Sequence, residues 1–413
     1  MLRNLARLSI AVYVLSLLGA ALAQNAQSAS RQIGDGVKTS LATVEQPERG
    51  AEQSTSDTSP LIAAGPKPET SGNNVVSVSP MRPGPDQVLV GFALNAHHTD
   101  KPERFLRAID DIAAAGFNSV LVLTPAFQRD GASQRIRIET GPGRAPTREQ
   151  LIAILSHARA KGLATTLMPV VLLTDPRGNE WRGKISPDNW DAWWNSYQTT
   201  LDYFLDIANA GGASVLCVGS ELLSTEKQTA RWEKLITHAR SRFTGRLSYS
   251  TNWDHYHVPT FWKKLDLIGI NGYWDLTTLT DADKPEAAKL AQRWQEIREQ
   301  VLTFGDSQNK PVLLTEIGYP TLPWSLRDPW NYIASGNKPD HQTQAQGYEA
   351  FLTTWRDLMT PRSADVKKFA GVFFYEWDVY YSGGHDDTGY GVRGKPALDL
   401  LKKFLSTRNA GRE

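Results

Sequence analysis

The sequence predicts an α/β fold in which eight parallel strands alternate with helices. Short apolar runs that end in loop-forming residues recur along the chain, and segments with apolar side chains at helical spacing separate them. This alternation occupies residues 86–408, a length that suits eight strand-helix units in one domain. We therefore expect a (β/α)8 TIM barrel as a single folded domain.

Eight apolar runs of strand length predict the strands of the barrel. Gly116 is expected to end the first helix, and Thr147 to begin the second with Glu149-Gln150 in its first turn. The predicted strands span 87–92, 118–123, 163–173, 213–220, 246–251, 265–270, 311–315 and 369–375. The predicted helices span about 102–115, 147–161, 187–210, 227–243, 285–303 and 343–358, and a last helix begins near residue 395.

The first residues have the pattern of a signal peptide. Arg3 and Arg7 precede an apolar run from residue 8 to residue 18, and cleavage is expected after Ala23. The run is shorter than the roughly 20 residues that span a bilayer, which favours a cleaved signal over a membrane anchor. Residues 24–85 are rich in Ser, Gln and Pro and predict a disordered linker. We therefore expect a secreted or periplasmic protein.

Composition and charge argue against several classes of partner. The chain has 45 Lys and Arg residues against 44 Asp and Glu residues, with a net charge of +1 and no block of like charge. This balance does not favour binding to nucleic acid or, beyond the signal segment, to a membrane. The single cysteine, Cys217, excludes an intramolecular disulfide and is more typical of a buried strand residue than of a nucleophile. We expect a monomer.

Two glutamates stand where predicted strands end. Glu221 follows the fourth predicted strand and Glu316 follows the seventh, 95 residues later. The carboxyl ends of barrel strands meet at one rim, so both carboxylates are expected in one cleft. Such a pair suits cleavage of a glycosidic bond. Either glutamate alone is equally consistent with a helix cap or an ion pair, but the pair favours catalysis.

Aromatic and polar side chains also collect after the predicted strands. The chain contains 13 tryptophans, and flat aromatic rings suit the apolar faces of sugars, although any one of them is as readily explained by packing under a loop. The residues at these positions, besides the two glutamates, are His97, His98, Trp181, Arg182, Asn252, Trp253, Tyr273, Trp274, Tyr319, Glu376, Trp377 and Asp378.

Several short segments occur in a fixed order along the chain: Trp181-Arg182-Gly183, Gly219-Ser220-Glu221-Leu222, Asn252-Trp253, residues 261–270, Thr315-Glu316-Ile317-Gly318-Tyr319, and Phe373-Phe374-Tyr375-Glu376-Trp377 with Gly394-Lys395-Pro396-Ala397. In their residues and their order, these segments resemble glycoside hydrolase family 113, and the resemblance covers about residues 88–404. That family is a group of retaining (β/α)8 barrels with endo-β-mannanase activity.

The resemblance implies a role for each catalytic residue. Glu221 matches the general acid/base, Glu316 matches the nucleophile, and Tyr273 matches a tyrosine that donates a hydrogen bond to the nucleophile. Hydrogen bonds from donors such as Tyr273 are expected to favour the ionised form of Glu316. The charge of Glu316 is in turn expected to keep Glu221 protonated near neutral pH.

The resemblance also implies residues that bind substrate. Trp377 matches the platform under the reacting sugar, Trp181 and Arg182 match a substrate-binding loop, and Asn252 matches a polar rim position. Ser220 stands where related enzymes commonly carry an Asn that holds the sugar 2-hydroxyl, and Val170 stands where family members often have a His. Both departures put the identity of the sugar in doubt.

We therefore predict a secreted retaining endo-β-glycosidase of the β-1,4-mannanase type, which cleaves a β-linked polysaccharide or oligosaccharide without a cofactor or metal. One alternative is a glycosidase for another β-glycan, and another is a catalytically silent carbohydrate-binding TIM barrel. A metal-dependent hydrolase is less favoured, because the pairs His97-His98 and His255/His257 lack a firm third ligand.

Overall fold

A computed structural model describes residues 87–97, 101–278, 285–334, 336–359, 367–380 and 384–410. The predicted signal peptide, the predicted linker and His98 lie outside these residues. Within the described ranges, no helix is both long enough and apolar enough to cross a membrane.

Eight parallel strands close into a barrel, because β1 pairs with β2 on one side and with β9 on the other. A short ninth strand, β3, lies antiparallel against the end of β2 outside the barrel. The predicted (β/α)8 TIM barrel is thus confirmed. The strands are β1 (Leu89–Asn95), β2 (Ser119–Gln128), β3 (Ile136–Arg137), β4 (Ala164–Leu173), β5 (Val215–Ser220), β6 (Arg246–Asn252), β7 (Leu267–Asn271), β8 (Val312–Ile317) and β9 (Phe369–Phe374).

Helices follow seven of the eight barrel strands in the described part of the chain. The connection after β6 has a 3₁₀ turn, Trp262–Lys264, in place of an α-helix. The α-helices are α1 (Glu103–Ala114), α2 (Arg148–Ala160), α3 (Trp190–Gly211), α4 (Thr229–Arg242), α5 (Ala287–Gln308), α6 (His341–Met359) and α7 (Pro396–Ala410).

Local sequence signals mark the ends of two helices. Thr147 caps α2: its hydroxyl accepts a hydrogen bond from the Gln150 backbone N–H, and the Gln150 side chain accepts one from the Thr147 backbone N–H. Gly212 ends α3 in the left-handed conformation, with φ of 70°, which glycine adopts without a steric penalty.

The barrel has two apolar cores, one inside the strands and one between the strands and the helices. Side chains alternate along β1, so that Leu89 and Ala93 face the interior while Phe92 packs in the outer layer. Cys217 lies in the interior core, where burial raises the pKa of its thiol to about 12. It is therefore a neutral core residue, and the filled interior leaves the carboxyl-terminal rim as the place for a site.

Candidate active site

The structure places both glutamates at the carboxyl-terminal rim, at the ends of β5 and β8. Glu221 directly follows β5 and Glu316 is the penultimate residue of β8, and the two are only 7% and 6% exposed. The register between β5 and β6 shifts after Cys217, and Glu221 itself has a φ of 52°. A left-handed conformation costs a non-glycine residue about 1–2 kcal/mol. Such irregular strand ends redirect side chains and are frequent beside active sites.

Two donors hold the Glu221 carboxylate. Arg182, itself 13% exposed at its side chain, forms an ion pair with Oε2 of Glu221. Asn271 Nδ2 donates a 2.8 Å hydrogen bond to Oε1. Together the two contacts fix the positions of both carboxyl oxygens of Glu221.

Among the described residues, one side chain donates a hydrogen bond to Glu316, the Tyr273 hydroxyl at 2.6 Å from Oε2. The pKa of Glu316 is raised to about 8, first by burial and then by the charge of Glu221, while the Tyr273 hydrogen bond and Arg182 act in the opposite direction. The Tyr273 hydrogen bond acts in the expected direction, because it favours the ionised form of Glu316. Removal from water outweighs this contact, so the pKa of Glu316 stays above its ordinary value in the free protein.

Three tyrosines surround Glu316. Tyr273 lies edge-on to Tyr375 and to Tyr390, with ring centroids 6.2 and 6.1 Å away, and Tyr375 and Tyr390 are 5.1 Å apart. Burial raises the pKa of the Tyr273 phenol well above its ordinary value, so this hydroxyl stays protonated and remains a donor. Tyr390 follows no strand, and sequence reasoning gave no signal for it.

A third carboxyl group, Glu376, adjoins these tyrosines. The Asn95 amide donates to Oε2 of Glu376 and, at 2.7 Å, to the Tyr375 hydroxyl. Burial, with the charge of Asp378, raises the pKa of Glu376 well above its ordinary range. The ends of β9 and β1 therefore add polar groups to the side of the cleft where Glu316 lies.

The loop that carries Tyr390 is attached to the loop after β8 by a buried lysine. Lys395 Nζ contacts Asp387 Oδ2 at 2.9 Å and donates to Thr321 Oγ1 and to the Gly389 carbonyl at 3.1 Å each. The Tyr390 hydroxyl donates to the Pro329 carbonyl at 2.7 Å. These contacts hold Tyr390 against Tyr273.

Trp253, which follows β6, stacks on Trp330 in the long loop after β8. Their ring centroids are 5.8 Å apart and their planes differ by 16°. Both side chains are half-buried, so parts of two flat indole rings remain open at the rim. In the strand order β6 neighbours β5, whose end carries Glu221, so Trp253 follows the strand next to that of Glu221.

The other sequence-predicted site residues differ in how deeply they are buried. Trp181 is 5% exposed, and the guanidinium of Arg182 lies 5.9 Å from its ring centroid. Ser220 is 1% exposed, and its Oγ has no hydrogen-bond partner among the residues that the structure describes. Asn252 is half-buried at the end of β6.

The position of Trp377 corrects its predicted role as a sugar platform. Its side chain is 3% exposed and packs edge-on against Phe92 at 5.1 Å, in the core between the strands and the helices. Arg393 covers its ring at 5.6 Å. Tyr375, two residues earlier, packs instead against the interior core and beside Tyr273. The aromatic ring next to Glu316 at the end of β9 is therefore that of Tyr375.

His255, one histidine of the metal hypothesis, has a carboxylate partner in the described structure. His255 Nδ1 lies 3.1 Å from the carboxylate of the buried Glu226. Across the described residues, no group of three or more His, Cys, Asp or Glu side chains is placed to hold a metal ion.

Comparison with known proteins agrees with the fold and the resemblance. The family model described as Glycoside Hydrolase Family 113 matches residues 94–395. No curated protein matches the sequence.

Solved structures share the fold. A complex of a family 113 β-1,4-mannanase has 21% identity and a TM-score of 0.65 over 78% of this chain and 99% of its own. The family 113 β-mannanase of Alicyclobacillus acidocaldarius has 22% identity and a TM-score of 0.65 over 78% and 98%. A family 5 mannosidase of Rhizomucor miehei, in complex with mannosyl-fructose, has 12% identity and a TM-score of 0.52 over 78% and 93%. With the family model covering most of the barrel, this chain belongs to glycoside hydrolase family 113 and is a glycoside hydrolase.

Proposed function

We propose that this glycoside hydrolase cleaves a β-linked mannan internally and with retention of configuration, using Glu221 as general acid/base and Glu316 as nucleophile. The observation that carries the proposal is the pair of buried carboxyl groups at the ends of β5 and β8, each with its own set of donors. The solved relatives named as β-mannanases favour mannan as the substrate.

In the first step Glu316 attacks the anomeric carbon while Glu221 gives its proton to the leaving oxygen, and a glycosyl-enzyme forms. In the second step Glu221 takes a proton from water, the water oxygen bonds to the anomeric carbon, and Glu316 leaves. Tyr273 stabilises Glu316 as it regains its charge.

The first step requires the proton on Glu221 and the charge on Glu316. In the free protein Arg182 forms an ion pair with Glu221. We propose that a sugar hydroxyl competes for Arg182 when substrate binds, which leaves Glu221 free to serve as the proton donor. This role agrees with the sequence-based expectation that Arg182 binds substrate.

The test is incubation of the purified protein with β-mannan, glucomannan, xylan and mixed-linkage β-glucan, with the products separated by size. We expect oligosaccharides from mannan and glucomannan, with the β-anomer formed first in proton NMR spectra. If only xylan or mixed-linkage glucan were cleaved, the substrate would be another β-glycan and not mannan. Binding to mannan without any cleavage would instead support the silent carbohydrate-binding barrel.

We also propose export of the protein, with residues 1–23 as the signal peptide. The support is the pattern of basic, apolar and small residues at the amino terminus. Mass spectrometry of the mature protein should find Gln24 as its first residue, and retention of residues 1–23 in an exported product would contradict the cleavage site.

A further inference from the structure

Asn271, the last residue of β7, is fully buried beneath the two glutamates and contacts three side chains. Its Nδ2 donates to Glu221 Oε1 at 2.8 Å. Its Oδ1 accepts from the Ser250 hydroxyl and from the Thr315 hydroxyl, each at 2.8 Å. Ser250 and Thr315 are also fully buried, so water does not compete for these groups.

The two hydroxyls fix the orientation of the Asn271 amide. Ser250 Oγ and Thr315 Oγ1 lie 2.6 Å apart, and each also lies 2.8 Å from Asn271 Oδ1. The two hydroxyl protons are therefore shared among three short contacts. In every arrangement that uses both protons within this triangle, at least one proton points to Oδ1 of Asn271. A flipped amide would bring Oδ1 against the Glu221 carboxylate, which in its ionised form only accepts hydrogen bonds. The Nδ2 donor therefore faces Glu221.

The same strand end is connected to Glu316. Asn271 is opposite Glu316 in the register of β7 and β8, and Thr315 directly precedes Glu316. Tyr273, two residues beyond Asn271, donates to Glu316. The end of β7 therefore gives one donor to each glutamate.

We propose that Asn271 is a positioning residue for the general acid, which it holds in the rotamer that reaches the leaving oxygen. This inference rests on the proposed function, because it takes Glu221 as the acid. A proton donor must lie within hydrogen-bonding distance of the atom that it protonates, and loss of a general acid lowers the rate about 10²- to 10⁴-fold. Asn271 acts only through Glu221, so its loss lowers the rate most where acid assistance is most needed.

The test compares two substrates that differ in their leaving group. Asn271→Ala should lower kcat/KM on a mannooligosaccharide, whose leaving group is a poor one, about 10²-fold. A dinitrophenyl β-mannooligoside has a leaving group, dinitrophenolate, that departs without acid assistance. On this substrate the same variant should lose less than about fivefold in kcat/KM. Equal losses on both substrates, or no loss on either, would overturn the proposal.

Two further variants separate positioning from general destabilisation. Asn118→Asp changes an asparagine at the start of β2, where its side chain pairs with Val90 N and the Val88 carbonyl, far along the strands from the rim. It should lower the melting temperature without altering the ratio of the two activities. The double variant Thr315→Val with Ser250→Ala keeps Asn271 but removes the hydroxyls that orient it. Its loss of kcat/KM should be smaller than that of Asn271→Ala and again larger on the mannooligosaccharide than on the dinitrophenyl substrate. A selective loss in Asn118→Asp, or none in the double variant, would count against the proposal.

A structural readout distinguishes failure of this inference from failure of the proposed function. If the unmodified protein cleaves neither substrate, the proposed function fails. Crystal structures of the unmodified protein and of Asn271→Ala then decide the role of Asn271. Displacement of the Glu221 carboxyl in Asn271→Ala, compared with the unmodified protein, supports the positioning role. A carboxyl that stays within about 0.5 Å of its original position overturns that role.

Discussion

The Tyr273 hydroxyl lies 2.6 Å from Oε2 of Glu316 and is the donor that opposes the effect of burial on this carboxyl group. Removing the hydroxyl leaves the burial unchanged, and the pKa of Glu316, about 8 in the free protein, should rise further. We expect changes in both kcat/KM and its dependence on pH.

Tyr273→Phe should lower kcat/KM about tenfold to a hundredfold, the range expected for the loss of a hydrogen bond to a charged group. The nucleophile must be ionised, so activity is lost as the pH falls below the pKa of Glu316. A higher pKa should therefore move the acid limb of the pH profile to higher pH. Tyr203→Phe, on α3 and away from the rim, is the control. An unchanged acid limb in Tyr273→Phe would contradict the role of the hydroxyl.

Glu316→Gln should change how stability depends on pH. The pKa of Glu316 is raised from 4.5 to about 8, so over this window the folded protein holds a proton that the unfolded chain has released. The free energy of unfolding should then fall as the pH rises through the window, because ionising the buried group is unfavourable. Glutamine does not titrate, so the variant should lose less stability. Parallel melting temperatures for both proteins across the window would contradict the raised pKa.

Trp253 and Trp330 should bind the leaving-group side of the substrate. Trp253 follows β6, the neighbour of the strand that ends at Glu221, and Glu221 is the residue proposed to protonate the leaving oxygen. Trp253→Ala and Trp330→Ala should each raise KM for long mannooligosaccharides about threefold to tenfold with little change in kcat.

Activated aryl glycosides carry no sugar on that side, and their KM should be unaffected by either substitution. Trp190→Ala, on α3, serves as the control for the loss of a half-buried indole. An equal rise of KM for both kinds of substrate would place the tryptophan pair elsewhere in the cleft.

Glu221→Ala should slow both chemical steps, but an activated aryl glycoside should still form the glycosyl-enzyme. Azide needs no base to attack this intermediate, so it should restore turnover and give a β-glycosyl azide. Glu316→Ala should form no covalent intermediate, and azide could give only the product of inverted configuration. Rescue of Glu316→Ala with retention would reverse the two roles.

The barrel and its two carboxyl groups follow from signals that repeat along the chain. Each strand is an apolar run with a definite end, so the residues after it lie at the rim. The same signal locates Glu221, Glu316 and Tyr273 at strand ends. Asn271 was predictable by the same logic, because it lies two residues before Tyr273 and side chains alternate along a strand.

Other features depend on contacts between distant segments, for which the sequence has no local pattern. Tyr390 is held by a loop that Lys395 attaches to Thr321, 74 residues away along the chain. Trp377 lies past the end of β9, where strand alternation no longer fixes the direction of a side chain, and it packs outward on Phe92. The pKa of Glu316 depends on how strongly burial raises it and how far the Tyr273 hydrogen bond lowers it. Both are set by contacts between distant segments.

The central claim is that Glu316 is the nucleophile of a retaining reaction, and the most direct measurement is the trapping of the glycosyl-enzyme. The protein is incubated with a 2-deoxy-2-fluoro-β-mannoside bearing a good leaving group, digested, and sequenced by mass spectrometry. We predict one sugar per protein, attached to Glu316 in the peptide from β8, with the β-anomer as the first product of mannan cleavage. An adduct on Glu221 or any other residue, or an α-anomer formed first, would contradict the account.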